Sequence, residues 1–168
     1  MSCRTLNIPL SAVLLAVSSG LAVAQEPPAK PIGRFLTVRS PIDDSVVGRV
    51  RNLAQDLQRP REGANRAAVL RPGRTSGDSP FYQAQGLAEL LSSARFSRVR
   101  TVAWIPKTVT GPNVLVALAC NDIVMEPDAG LGDISQGEPL GDPSMQFVRT
   151  LVEKRRNPKI SWPLARGM

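Results

Sequence analysis

TVAWIPKTVTGPNVLVALACNDIVMEP, residues 101–127, is the stretch that decides the fold of this chain. Its β-branched and aromatic residues up to Ile105 are typical of a buried strand. A short loop follows, and Pro112 is well placed to begin an apolar helix that runs to Asn121. The apolar residues 123–125 then predict a second short strand. The segment is therefore a strand–helix–strand unit, which favours two parallel strands joined by a crossover helix.

The same alternation of strands and helices extends to both sides of this segment. Alternating polarity predicts a strand over 34–39, and apolar residues at helical spacing predict a helix over 47–57. A short apolar run predicts a strand at 67–70, and leucines at helical spacing predict another helix within 81–94. A last helix is expected over 144–156, after a glycine-rich loop. We therefore expect an α/β protein with a parallel sheet and crossover helices.

The amino-terminal residues are predicted to be a targeting segment. An apolar run over 8–24, interrupted by polar residues and ending in small residues, is typical of a secretory signal peptide. We expect residues 1–24 to be removed after Ala24, with an uncleaved anchor as the alternative, and the protein to be exported to the periplasm or cell envelope. Residues 25–33 are rich in proline and predict a linker, and residues 34–168 predict one domain. Because no closing strand follows the last predicted helix, we expect this domain to be incomplete at its carboxyl end.

Composition excludes several kinds of site. The chain has no histidine, which excludes His-based catalytic triads and histidine-rich metal sites, and we expect neither a metal nor a cofactor. Cys120 is the one cysteine outside the leader, so an internal disulfide is not expected. The formal charge is +7, but the arginines are scattered and only 154–156 forms a basic run. We therefore expect no nucleic-acid partner and at most a peripheral contact with a membrane.

The central segment resembles the ClpP/crotonase-type superfold, and specifically the signal-peptide-peptidase and NfeD-like ClpP-class serine proteases of bacterial envelopes. In that family a strand leads into a small-residue loop carrying Ser-Ala-Gly, followed by an apolar helix and a glycine-rich turn. The matching segments here are 101–105, 110–113, 114–123 and 127–133. The resemblance extends from about Phe35 to the end of the chain. It implies a ClpP/crotonase-like sheet.

The resemblance also implies a catalytic site with one residue replaced. Such proteases use a serine activated by a lysine whose pKa is lowered by partial desolvation. Placing Ser-Ala-Gly on this chain without gaps puts the nucleophile position at Gly111, which has no side chain that could attack a substrate. Thr110 is the nearest hydroxyl, although such a residue is more often a helix cap or loop residue. Lys154 or Lys159 is the nearest match to the family's lysine, although each is more typical of a solvated charge.

The same placement implies an oxyanion hole at Gly73 and Asn113, with a simple Pro-Gly turn as the alternative for Gly73. Two functions are left open. The chain is either a peptide hydrolase with a rearranged dyad, acting on peptides or membrane-protein fragments, or a non-catalytic module for oligomerisation or partner binding in the envelope. Crotonase-type acyl-CoA chemistry is disfavoured by export and by the lack of an obvious acid/base glutamate. A homo-oligomer is expected in either case.

Overall fold

The structure is a computed structural model, and it describes residues 32–59, 66–73, 79–137, 139–154 and 160–167. The predicted leader and most of the predicted linker lie outside the described residues. Strands and helices alternate as β1 (Ile32–Val38), α1 (Asp44–Gln58), β2 (Arg66–Pro72), α2 (Phe81–Ser92), β3 (Arg100–Ile105), α3 (Asn113–Ala119), β4 (Asp122–Met125), α4 (Asp142–Glu153) and α5 (Trp162–Arg166).

The strands form a four-stranded sheet in the order β1-β2-β3-β4, and every neighbouring pair is parallel. The register pairs Leu36 with Leu70, Leu70 with Ala103, and Ala103 with Ile123. Because each crossover steps in the same direction, and parallel crossovers are almost always right-handed, α1, α2 and α3 are placed on the same face of the sheet. The expected α/β class is confirmed.

The helix-covered face of the sheet carries the hydrophobic core. Side chains of alternating strand residues are fully buried there, as Leu70, Ala103 and Ile105 illustrate. Helix α3 is buried on nearly every side, since residues 113–118 are all buried. This explains why its sequence is apolar throughout instead of amphipathic.

The opposite face of the sheet, which we call the open face, has no helix over it in the described part of the chain. Phe35 and Val124 on this face are 55% and 52% exposed. Phe35 packs edge-to-face against Trp104, with ring centroids 5.7 Å apart. The Arg71 guanidinium lies over the same indole, 5.4 Å from its centroid, in a cation–π contact. The side chains of Phe35, Trp104 and Arg71 therefore pack against one another and cover part of the open face.

Helix α1 begins with a capping carboxylate. Asp43 Oδ1 accepts hydrogen bonds from Ser45 Oγ at 2.7 Å and from the Val46 N–H at 2.9 Å. Both bonds lower the pKa of the Asp43 carboxyl below its ordinary value because they stabilise the charged form, and the bond from Ser45 has the largest effect. The turn that joins β1 to α1 is thereby fixed at the carboxyl end of β1.

The ends of several elements differ from the sequence-based expectations. β1 begins at Ile32, within the predicted linker, because residues 32 and 33 pair with β2. α4 ends at Glu153, and the part of the predicted helix over 155–156 lies outside the described residues. Helix α5 was not predicted, since its five residues are too few to show a period. Among the described residues, no helix is both long and apolar enough to cross a membrane.

Candidate functional site

The candidate site lies where β3 leads into α3, at the carboxyl edge of the sheet. Gly111 adopts a left-handed backbone conformation, with φ +68°. Its N–H donates to the Asp133 carbonyl at 2.8 Å, and its own carbonyl accepts from the Val114 N–H at 3.0 Å. A parallel bridge between Val109 and Leu131 holds the same loop. Gly111 is therefore buried and tied on both sides to neighbouring backbone.

The Asn113 side chain links the loops at this edge. The residue is fully buried, and its Nδ2 donates to Ser40 Oγ at 2.8 Å and to the Gly73 carbonyl at 3.2 Å. The opposite amide orientation would set Oδ1 against the Gly73 carbonyl, two acceptors in contact, so these partners fix the orientation. Within the described residues, Asn113 Oδ1 is buried without a hydrogen-bond partner.

Gly73 follows β2 and packs tightly against both neighbouring loops. A Cβ on this residue would lie 3.0 Å from the Ser40 backbone nitrogen and 3.2 Å from Asn113 Nδ2. These distances are shorter than ordinary van der Waals contacts, so a side chain here would force the Ser40 backbone or the Asn113 side chain to shift by a few tenths of an ångström. The structure thus brings Gly73 and Asn113 into contact. It also gives Gly73 a packing role.

Two serines that sequence reasoning does not assign to the site complete this cluster. Ser79 is 7% exposed, and its Oγ accepts a hydrogen bond from the Ile42 N–H at 2.9 Å. Ser40 Oγ lies 3.4 Å from Ser79 Oγ. A signal for Ser40 exists in the sequence, because it follows β1 and the carboxyl ends of parallel strands meet at one edge. From the sequence alone, Ser79 is typical of an ordinary turn residue.

The chemistry available to this cluster is limited. Ser40, Gly73, Ser79 and Asn113 contain no group that ionises near neutral pH. Stabilising an oxyanion requires N–H donors aimed at the developing charge. The Asn113 amide N–H groups are already bonded within the cluster, its remaining buried atom is an acceptor, and Pro112 has no N–H. The arrangement is suited to holding loops together.

The structure also locates the remaining candidate residues. Thr110 is half-buried beside Gly111. Thr108 Oγ1 accepts a hydrogen bond from the Gly130 N–H at 3.1 Å. Lys154 is exposed and contributes to a cavity of about 70 Å³ with residues 118–121, at the carboxyl end of α3. Since α3 is about 10 Å long, Lys154 is not brought to Gly111. Lys159 lies outside the described residues.

The architecture defines a class of fold, an α/β protein with a parallel sheet and crossover helices similar to that of ClpP/crotonase-like proteases. Among solved structures, the chain is similar to a membrane-bound stomatin-specific protease, determined as a lysine-to-alanine mutant in complex with a substrate peptide. The TM-score is 0.54 with 12% sequence identity, over 74% of this chain and 61% of that protein. This chain therefore spans about three fifths of the length of that protease.

At this level of identity the likeness shows the fold. No protein-family model matches the sequence, and no curated protein matches it. The roles of Gly111, Thr110, Lys154, Gly73 and Asn113 therefore depend on their geometry in this structure.

Proposed function

We propose that this protein is a non-cleaving homologue of Ser-Lys peptide hydrolases, which binds a peptide or protein partner without hydrolysing it. The observation that carries the proposal is the neutral, internally bonded cluster at the mouth of α3. Gly111 stands at the position matched to the nucleophile, and the Asn113 amide spends its donors on Ser40 and Gly73. Similarity of fold to a protease in complex with a substrate peptide supports the choice of a peptide as the ligand class.

The loss of catalysis follows from the charges as well as from the missing hydroxyl. A serine or threonine hydroxyl is a weak nucleophile until a nearby base removes its proton. In a chain without histidine that base has to be a lysine or a carboxylate. Lys154 is exposed at the far end of α3, so it does not provide that base at Gly111. A binding role requires neither group.

A serine-reactive fluorophosphonate probe tests the proposal directly. The full chain is expected to show no labelling above that of heat-denatured protein and no cleavage of a fluorogenic peptide library. Thr110→Ala is the informative variant, and Thr108→Ala is its matched control, because both remove a threonine hydroxyl from the same loop. Labelling of the wild type that is abolished by Thr110→Ala and retained in Thr108→Ala would show a hydrolase with a displaced nucleophile, and the proposal would fail.

The proposal includes a cellular setting. The predicted leader would export the chain to the cell envelope, where a non-catalytic module would self-associate or hold a partner protein. Light scattering on the purified full chain measures the mass in solution, and a monomer at every concentration would remove self-association from the proposal. A reporter enzyme that is active only outside the cytoplasm, fused after Ala24, would test export.

A further inference from the structure

A cavity lined by arginines lies at the amino edge of the sheet, opposite the edge that carries Gly73 and Asn113. Its volume is about 150 Å³. The lining residues come from the beginnings of β1 and β2, where Ile32 pairs in register with Arg66, and from the carboxyl end of α1. They are Ile32, Arg34, Asp56, Leu57, Arg59 and Arg66. We call this cavity the arginine cleft.

The described lining of the arginine cleft is strongly positive. The lining includes three arginines, Arg34, Arg59 and Arg66, and one carboxylate, that of Asp56, and Arg66 already has an interaction partner. Like charges that converge in this way repel each other, and a bound anion would relieve the repulsion. No comparable concentration of charge is apparent in the sequence, because the three arginines come from three separate elements.

Asp56 neutralises little of this charge. Its Oδ1 lies 3.7 Å from Arg59 Nη2, beyond hydrogen-bonding distance, and the two side chains are 57% and 75% exposed. Exposed ion pairs of this kind contribute little to stability, because solvent screens the two charges. The N–H donors of Arg59 are therefore not committed to that carboxylate.

Two apolar residues also line the arginine cleft. Leu57 is 3% exposed, and Ile32 packs against the hydrophobic core. Guanidinium groups present planar pairs of N–H donors that match the oxygens of a phosphate group, and they remain charged at every physiological pH. A tetrahedral dianion would satisfy two or more of these forks at once.

We propose that the arginine cleft binds a phosphate group, either as free phosphate or as the headgroup phosphate of a lipid. Arg34 and Arg59 would approach the anion from the strand side and the helix side of the cavity, and Arg66 would add to the positive potential at the start of β2. The inference does not depend on the proposed non-cleaving function, because none of the lining residues belongs to the cluster at the carboxyl edge.

Calorimetric titration of the full chain with inorganic phosphate, at neutral pH and low salt, measures the binding. We expect one saturable site. The double variant Arg34→Gln/Arg59→Gln should weaken phosphate binding at least about tenfold, because it removes the charge-assisted hydrogen bonds of two guanidinium groups. Asp56→Asn removes a repelling carboxylate and should tighten binding by about two- to fivefold.

The matched control is Arg49→Gln/Arg51→Gln, which removes the same charge from exposed positions of α1 that do not line the cleft. It should change phosphate affinity less than twofold. Circular dichroism should show all of these surface variants folded. Unchanged affinity in the cleft variant, or an equal loss in the control, would overturn the proposal, because the attraction would then come from net charge alone.

Vesicle sedimentation distinguishes the two sources of the phosphate group. The probes are phosphatidylcholine vesicles with and without phosphatidylglycerol, and the lipid source is included because an apolar segment precedes β1 in the sequence. Binding to phosphatidylglycerol that is lost in the cleft variant and competed by free phosphate assigns the cleft to a lipid headgroup. Saturable phosphate binding without vesicle binding assigns it to a soluble phosphate. Vesicle binding that is equal in wild type, cleft variant and control, without a saturable phosphate site, would refute the inference.

Discussion

The two edges of the sheet differ in charge, burial and packing. At the carboxyl edge, Ser40, Gly73, Ser79 and Asn113 form a neutral, close-packed cluster that is linked by hydrogen bonds within it. At the amino edge, arginines surround an open cavity of about 150 Å³. In parallel α/β sheets, ligands usually bind at the carboxyl edge. In this protein the carboxyl edge is filled by its own side chains, and the proposed phosphate site lies at the amino edge.

Under the proposed function, this difference would mean that the fold is kept without the chemistry of the similar protease. The backbone path that brings β3, Gly111 and α3 together is present, and Gly73 is placed against the start of the helix. Of the two lysines matched to the family's base, Lys154 is not brought to Gly111, and Lys159 lies outside the described residues. Fold and function are specified by different residues, so one can persist without the other.

The largest expected effect tests the packing of the carboxyl edge. Asn113→Ala removes both hydrogen bonds from Nδ2 and leaves the Gly73 carbonyl without that donor. The lost hydrogen bonds and the small cavity left behind both destabilise the protein, whereas the removal of the unpartnered Oδ1 offsets part of that loss. The net result should be a decrease of about 2–3 kcal/mol in the free energy of unfolding. Urea denaturation followed by circular dichroism measures the change.

Asn52→Ala is the control for this variant, because Asn52 is exposed on α1. It should change the free energy of unfolding by less than about 0.5 kcal/mol. If Asn113→Ala is as mild as Asn52→Ala, the cluster at the carboxyl edge is not a stabilising unit, and the contrast between the two edges disappears.

The next effect concerns the backbone at Gly111, the position that the family resemblance matches to the nucleophile. Gly111 has φ +68°, so Gly111→Ala should destabilise the protein by about 1–2 kcal/mol. Gly86 is exposed in α2, and a Cβ added there would meet nothing within 4 Å, so Gly86→Ala should stabilise the protein by about 0.5–1 kcal/mol. Opposite signs for the same substitution, measured by thermal unfolding, would locate the strained conformation at Gly111. Equal signs would contradict it.

The smallest effect is a pH dependence at the cap of α1, two residues after Pro41 at the carboxyl edge. Because the folded-state pKa of Asp43 is lowered, its contribution to stability is present above the unfolded-state pKa and is lost as the pH falls through the folded-state pKa. Carboxyl NMR titration should give a value below the ordinary range for aspartate. Ser45→Ala removes the largest cause and should raise that value, whereas an unchanged titration would show that the hydroxyl does not bond to Asp43 in solution.

Much of the fold could be predicted from local patterns. The strand at 100–105, the helix from 113 and the strand at 122–125 were all expected, because each has a clear run of apolar residues bounded by proline or polar residues. Helix α5 was missed because a five-residue segment shows no period. The early start of β1 at Ile32 was missed because pairing with β2, and not the local sequence, extends the strand.

The candidate sites could be predicted only in part. The proximity of Gly73 and Asn113 followed from the family resemblance, and the structure brings them together. Ser79 gave no distinctive signal, since it precedes a proline in an apparently ordinary turn, and the one signal for Ser40 was its position after β1. The arginine cleft was invisible because its arginines are scattered along the sequence, and only strand pairing and the end of α1 gather them around one cavity.

By itself, the sequence determined the alternation of strands and helices, the absence of histidine chemistry and the lack of a serine at Gly111. These properties follow from residue identity and from periodicity along the chain. The tertiary structure alone decided that the Asn113 amide is spent on Ser40 and Gly73, that Lys154 lies at the far end of α3, and that arginines from three elements share one cavity. Distances between residues remote in sequence are set by packing and strand order, which no local pattern encodes.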